Sequence, residues 1–108
     1  MTATPHPRHR LDEVIHQPVR FSVVATLAAS TEAEFAFVRD AVQVPDSALS
    51  KHVAVLERAG YVHVRKGYVG KRPRTWLSLT RAGRAAFDGH LETLRQIAAA
   101  GSLTGSGD

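Results

Sequence analysis

Residues Asp46 to Arg84 read DSALSKHVAVLERAGYVHVRKGYVGKRPRTWLSLTRAGR, and their pattern decides the fold. Leu49, Val53 and Leu56 recur at helical spacing and form one apolar stripe, each side chain contributing roughly 1.5 to 3 kcal/mol if fully buried. The stripe fixes which side stays outside: Ser47, Ser50, Lys51, Ala54 and Arg58, all small, polar or charged. Asp46 is the expected N-cap, its carboxylate meeting free amides at the positive end of the helix dipole. Gly60 ends the helix near Ala59, because a residue without Cβ enters the left-handed region without strain.

Beyond Gly60, Val62 and Val64 alternate with His63 and Arg65, and later Leu77 and Leu79 alternate with Trp76 and Ser78, which predicts an antiparallel hairpin. Its connection, Lys66 to Arg74, contains Gly67, Gly70 and Pro73 and is expected to be a long basic loop projecting into solvent. Thr80 caps a last helix with Phe87, Leu91, Leu94 and Ala98 on one face. Upstream, Leu11 to Ala29 reads as a first helical region interrupted near Pro18, with Val19, Val23, Val24 and Leu27 facing inward. Ser30 to Glu34 is a polar connection able to contribute a short strand. Phe35, Val38 and Val42 then mark a short second helix that Gln43 to Pro45 closes. The expectation is a mainly α fold with a small antiparallel β-hairpin (α+β), a helix-turn-helix followed by a wing.

The chain has 108 residues, enough for one core but not two. Residues 1–10, with Pro5 and Pro7, and residues 101–108, dominated by Gly, Ser and Thr, are expected to be unstructured tails around one domain over 11–100. The net charge of +4 is modest, but its distribution is not. Arg58 to Arg84 holds eight Lys or Arg (Arg58, Arg65, Lys66, Lys71, Arg72, Arg74, Arg81, Arg84), while all ten acidic residues lie elsewhere. The absence of cysteine excludes disulfides, thiolate metal sites and cysteine nucleophiles. No apolar run is long enough to span a membrane, and MTATPHPRHR lacks the apolar segment of a signal peptide, so the cytoplasm is the expected compartment.

DSALSKHVAVLERAGYV followed by GKRPRTWLSLTRAGR resembles the small stand-alone winged-helix regulators related to the MarR and ArsR families of bacterial transcription factors. The resemblance runs from about Leu11 to Ile97. Its most specific pieces are LSKHVAVLERAGYV, similar to the family's recognition helix and first wing strand, and LTRAGR, similar to the stretch that closes the wing and starts the last helix. It implies a regulator of transcription that binds double-stranded DNA, and a homodimer formed through flanking helices that reads two half-sites about one DNA turn apart. The face of Phe87, Leu91, Leu94 and Ala98 equally suits covering the domain's own core. Both ends are short beside a typical MarR chain. Where many MarR proteins carry an aspartate before an arginine in the wing, this chain reads GKRPRT with no acid.

On this reading Ser47, Ser50 and Lys51 approach base edges in the major groove, while Arg58, Lys66, Lys71, Arg72 and Arg74 engage phosphates or the minor groove. His52 flanks the apolar stripe and is either a further DNA contact or a partly buried core residue. The rival is a protein-interaction module whose basic face docks an acidic partner. Gly67, Gly70 and Lys71 lack the glycine spacing and the following Ser or Thr of a phosphate-binding loop. Of six histidines only His6 and His9 have ligand-like spacing, and they sit in a proline-containing tail. No metal site, cofactor or catalytic constellation is therefore assigned, no enzyme activity is expected, and no feature identifies an effector.

Overall fold

The stripe of Leu49, Val53 and Leu56 is buried in the computed structural model, which describes the backbone of residues 4–105 and the side chains of residues 4–101. After a 3-10 turn at Pro7–Arg10 come α1 (Pro18–Ala28), β1 (Ala33–Glu34), α2 (Phe35–Val42), α3 (Asp46–Arg58), β2 (Val62–Val69), β3 (Arg72–Leu79) and α4 (Arg81–Gly105). The strands form one antiparallel sheet in the order β1-β3-β2. Four helices on a small sheet with a protruding hairpin make the expected winged helix. The core joins the α3 stripe to Val23, Val24 and Leu27 of α1, Val38 of α2, Val62 of β2 and Leu77 of β3. The first three helices and all three strands thus give apolar residues to one cluster, against which Phe87 of α4 packs.

Local chemistry accounts for the boundaries. Pro18 opens α1 at its first position, and the Gln17 side chain accepts the Arg20 amide at 2.8 Å. The first helical region is thus interrupted at Pro18 as expected, with the regular helix confined to Pro18–Ala28. Residues 11–17 instead form a turn in which Asp12 Oδ1 accepts the Val14 amide at 3.0 Å, and this turn buries Ile15. α2 ends on Gln43 in the left-handed region (φ 58°), and Pro45 starts α3. Pro45 rather than Asp46 is the N-cap, with no side-chain cap bond. Asp46 lies one residue inside the helix and pairs with Arg39 across the turn at 3.0 Å. At the other end of α3 the expected left-handed Gly60 is present (φ 81°). Its amide bonds the Glu57 carbonyl at 2.9 Å and the Tyr61 amide bonds the Leu56 carbonyl at 2.9 Å, which is a Schellman closure.

The wing differs most from expectation. Lys66 to Arg74 is not a loop: β2 and β3 stay paired out to Val69↔Arg72, leaving only Gly70 and Lys71 as the turn. Gly70 has φ 63° and Lys71 does not share the positive φ, the pattern of a II′ hairpin, which matches strand twist. Gly67 is extended because it makes room for a ring; a Cβ there would lie 3.2 Å from Trp76 Cζ3. Pro73 sits opposite Tyr68, beyond the two residues of β3 that β1 covers, so its missing amide faces no strand.

Regular backbone reaches into part of both expected tails. Pro7–Arg10 lies against α4, with Arg10 donating to the Gln96 side chain, and the backbone helix of α4 runs on to Gly105. Residues 1–3 and 106–108 of the expected tails lie outside the described residues. The Asp12 amide donates to His90 Nδ1 (3.4 Å), which makes His90 Nε2 the protonated nitrogen facing His16 Nδ1 at 3.3 Å. His90 is 2% exposed and packs against the Phe21 ring, and the Tyr61 hydroxyl donates to Asp12 at 2.5 Å.

Gly83 abuts the main chain at Tyr61 so closely that a Cβ would stand 2.1 Å from the Tyr61 carbonyl oxygen, whereas a Cβ at Gly89 meets nothing within 4 Å. Gly83→Ala is expected to cost at least about 2 kcal/mol and Gly89→Ala to gain about 0.5 to 1 kcal/mol, measured by urea unfolding. Burial, and then the neighbouring His16, hold His90 below the usual histidine range. The unfolded chain, titrating near pH 6.5, then binds more protons than the folded one below that pH, so stability is fullest above it and falls on acidification towards the folded value. His90→Gln should flatten that fall below about pH 6.5 in the same measurement.

Candidate nucleic-acid interface

Because Leu49, Val53 and Leu56 turn inward, the roughly 3.6-residue helical period sets Ser47, Lys51 and Arg58 on the opposite, outward line of α3. All three are exposed, as is Ser50. Ser50 belongs to the flank facing the wing. There Ser50, Ala54 and Glu57 of α3 and Lys66 and Thr75 of the wing line a groove of about 400 Å³, with Asp46 at the same flank. Helix and wing are thus neighbours across one open surface. The carboxylates of Asp46 and Glu57 disfavour a phosphate inside the groove itself, which leaves the outward line and the wing as the surfaces suited to a polyanion.

The cations divide into two sets. Among the described residues, Lys51, Arg58, Lys66, Lys71 and Arg72 are exposed and form no ion pair or side-chain hydrogen bond. Arg65 and Arg74, by contrast, are held by acids at the start of β1. Arg65 grips Glu32 with two bonds of 2.9 and 2.8 Å while its guanidinium stacks 4.1 Å from the centroid of Trp76, its cross-strand partner. Arg74 lies 3.6 Å from Glu34, a residue paired with Trp76 across β1 and β3. The bond to Arg65 holds the Glu32 carboxyl below its usual range. A wing with no acid of its own therefore receives two from a neighbouring strand, and its free charge is concentrated towards the tip.

His52 sits apart from both sets. It is half-buried on the side of α3 turned to α1, with Nδ1 3.3 Å from the Arg20 guanidinium. Burial first, and the Arg20 charge second, lower its pKa, so near neutral pH the ring carries no positive charge. Arg20 is fastened by its own bonds to the carbonyls of Val14 (2.5 Å) and Glu13 (3.4 Å). Sequence reading missed Arg20, Glu32, Glu34 and the Trp76 stack, because all four depend on pairings between segments far apart in the chain. No group of three potential metal ligands gathers among the described residues, and none of their helices is long and apolar enough to cross a membrane.

A helix-turn-helix, an adjoining two-stranded wing and a cationic surface shared between them define a winged-helix protein. Residues 19–98 match the family described as winged helix DNA-binding domain, and the chain belongs to that family. An uncharacterized protein of Methanocaldococcus jannaschii is 26% identical over 85 residues, spanning 79% of this chain and 92% of its own length. A transcriptional regulator homologue of Pyrococcus horikoshii is 26% identical and superposes with a TM-score of 0.76, over 82% of this chain and 88% of its own. A MarR-family transcriptional regulator of Silicibacter pomeroyi, 22% identical, shares the fold with a TM-score of 0.61, over 94% of this chain and 66% of its own.

The pairing of Glu32 and Glu34 with wing arginines yields a measurable expectation. Replacing both by Gln should release Arg65 and Arg74 to phosphates and steepen the log affinity against log salt plot by about 0.9 for each arginine engaged. Fluorescence anisotropy with a random-sequence duplex reads this directly, and an unchanged slope would leave both guanidinia out of the interface.

Proposed function

We propose that this protein is a transcriptional regulator that binds double-stranded DNA with α3 in the major groove and the wing on the flanking backbone and minor groove. The observation that carries the reading is the shared open surface: Ser50 and Lys66 line one groove, with the outward line of Ser47, Lys51 and Arg58 on one side and the unpaired tip cations on the other. Ser47, Ser50 and Lys51 would approach base edges, since they lie in the N-terminal half of α3 and are short or flexible enough to enter the groove. Arg58, Lys66, Lys71 and Arg72 would hold phosphates, and Arg74, already oriented by Glu34, would meet the backbone or minor groove from a fixed position. His52 enters as a neutral ring beside Arg20 at the edge of this surface.

The same reading makes the protein a cytoplasmic homodimer. Support comes from α4, whose 25 residues extend about 38 Å and which leaves Leu91 42% exposed. Two copies joined through such helices would address half-sites about one DNA turn apart.

Gel-shift titrations across salt, on a duplex selected from a random pool and on an unselected one, test the assignment. Arg72→Ala should weaken binding to both duplexes and lower the salt slope by about 0.9, whereas Lys51→Ala should also narrow the preference for the selected duplex. Identical effects of the two substitutions would remove the division of roles. Only weak, sequence-blind binding by the unaltered protein at moderate salt would favour an acidic protein partner instead.

A further inference from the structure

Strand alternation gives the wing two unlike faces. On one lie Arg65, Arg72, Arg74 and Trp76. On the other, Val64 and Leu77 pack on the core, and Lys66 opposite Thr75 line the groove beside α3. The next pair outward on that second face is Tyr68↔Pro73. Tyr68 is 73% exposed and its hydroxyl has no hydrogen bond among the described residues, so the ring contributes nothing visible to the fold. An isolated exposed aromatic would mean little. This one is paired across the strand with a second apolar ring, on the end of a stiff hairpin. Lys66 lies inward of it on the same face, Lys71 in the adjoining turn and Arg72 on the opposite face; none has an acidic partner among the described residues, which suits a polyanion rather than an apolar protein surface.

We propose that Tyr68 and Pro73 form an apolar contact with the deoxyribose walls of the DNA minor groove while Lys66, Lys71 and Arg72 hold the phosphates on either side. This rests on the DNA-binding reading above and adds to it a role for the apolar pair at the end of the wing's second face. The minor groove, about 6 Å wide, admits side chains from a hairpin end rather than the paired strands themselves, and apolar side chains, proline among them, are used by other proteins to enter it. Contact with sugar C–H surface releases no counterions, so this part of the affinity does not weaken with salt as the ionic part does.

Anisotropy titrations with a random-sequence duplex at several salt concentrations separate the two parts. Tyr68→Ser should lower affinity about tenfold at every salt concentration with an unchanged slope, Tyr68→Phe should stay within about twofold of the unaltered protein, and Arg72→Ala should reduce the slope. If Arg72→Ala behaves so but Tyr68→Ser binds like the unaltered protein, the apolar contact is refuted and the DNA-binding reading stands. If Tyr68→Phe is as weak as Tyr68→Ser, the ring acts through its hydroxyl and the apolar contact is again refuted. If the unaltered protein shows no salt-dependent binding, the reading beneath falls and takes this inference with it. Sedimentation of Tyr68→Ser without DNA should match the unaltered protein; a changed association state would assign the ring to a second copy of the chain and overturn the proposal. Hydroxyl-radical cleavage of a selected duplex should lose sugar protection at the outer flanks with Tyr68→Ser, and retained protection would also overturn it.

Discussion

The backbone around Tyr61 holds the functional parts of this molecule together. Its amide closes α3 and its carbonyl accepts the Thr80 amide at 3.0 Å, where the second wing strand ends. Thr80 Oγ1 donates to the Gly60 carbonyl at 2.6 Å and accepts the Gly83 amide at 2.9 Å, so one side chain joins the end of α3 to the start of α4. Gly83 lets α4 approach this point. Meanwhile the Tyr61 hydroxyl reaches Asp12, linking the N-terminal turn to the same place. The relative angle of α3, the wing and α4 is therefore set within a few residues, in a region where neighbouring hydrogen bonds support one another.

Charge is arranged with similar economy. Exposed ion pairs contribute little to stability, and Arg65 with Glu32 and Arg74 with Glu34 are half exposed. Their consequence is orientational. They fix two guanidinia along the wing, with the Trp76 ring as a floor for one of them, and Lys71 and Arg72 at its tip have no acidic partner among the described residues. An acid missing from the wing's own sequence is replaced by acids from β1, whose two residues pair with β3 so that Glu34 stands across from Trp76.

The parts of the fold governed by local rules were legible in the chain. The Leu49, Val53 and Leu56 period, the Gly60 closure, Pro18 at a helix start and the Thr80 cap each depend on neighbours within a few residues. Two local signals misled. Gly67 and Pro73 suggested a loop, but one is glycine to admit a tryptophan ring and the other occupies a strand position with no neighbour on its amide side. Asp46 has the composition of a cap, but the proline before it already supplies the extended residue, and its carboxylate found Arg39. Of the candidate site, the polar line of α3 followed from its apolar stripe. The division of cations into held and free sets did not, since it depends on β1 meeting β3 across more than forty residues of chain.

The short reach of β1 has a further consequence. Beyond Trp76 the outer side of β3 is a bare sheet edge, a form of surface that invites another chain to add a strand. Pro73 withholds one of the donors such an addition needs, and Arg72 and Arg74 place like charges beside it. Edge-to-edge addition of another strand at the outer half of the wing is thereby discouraged.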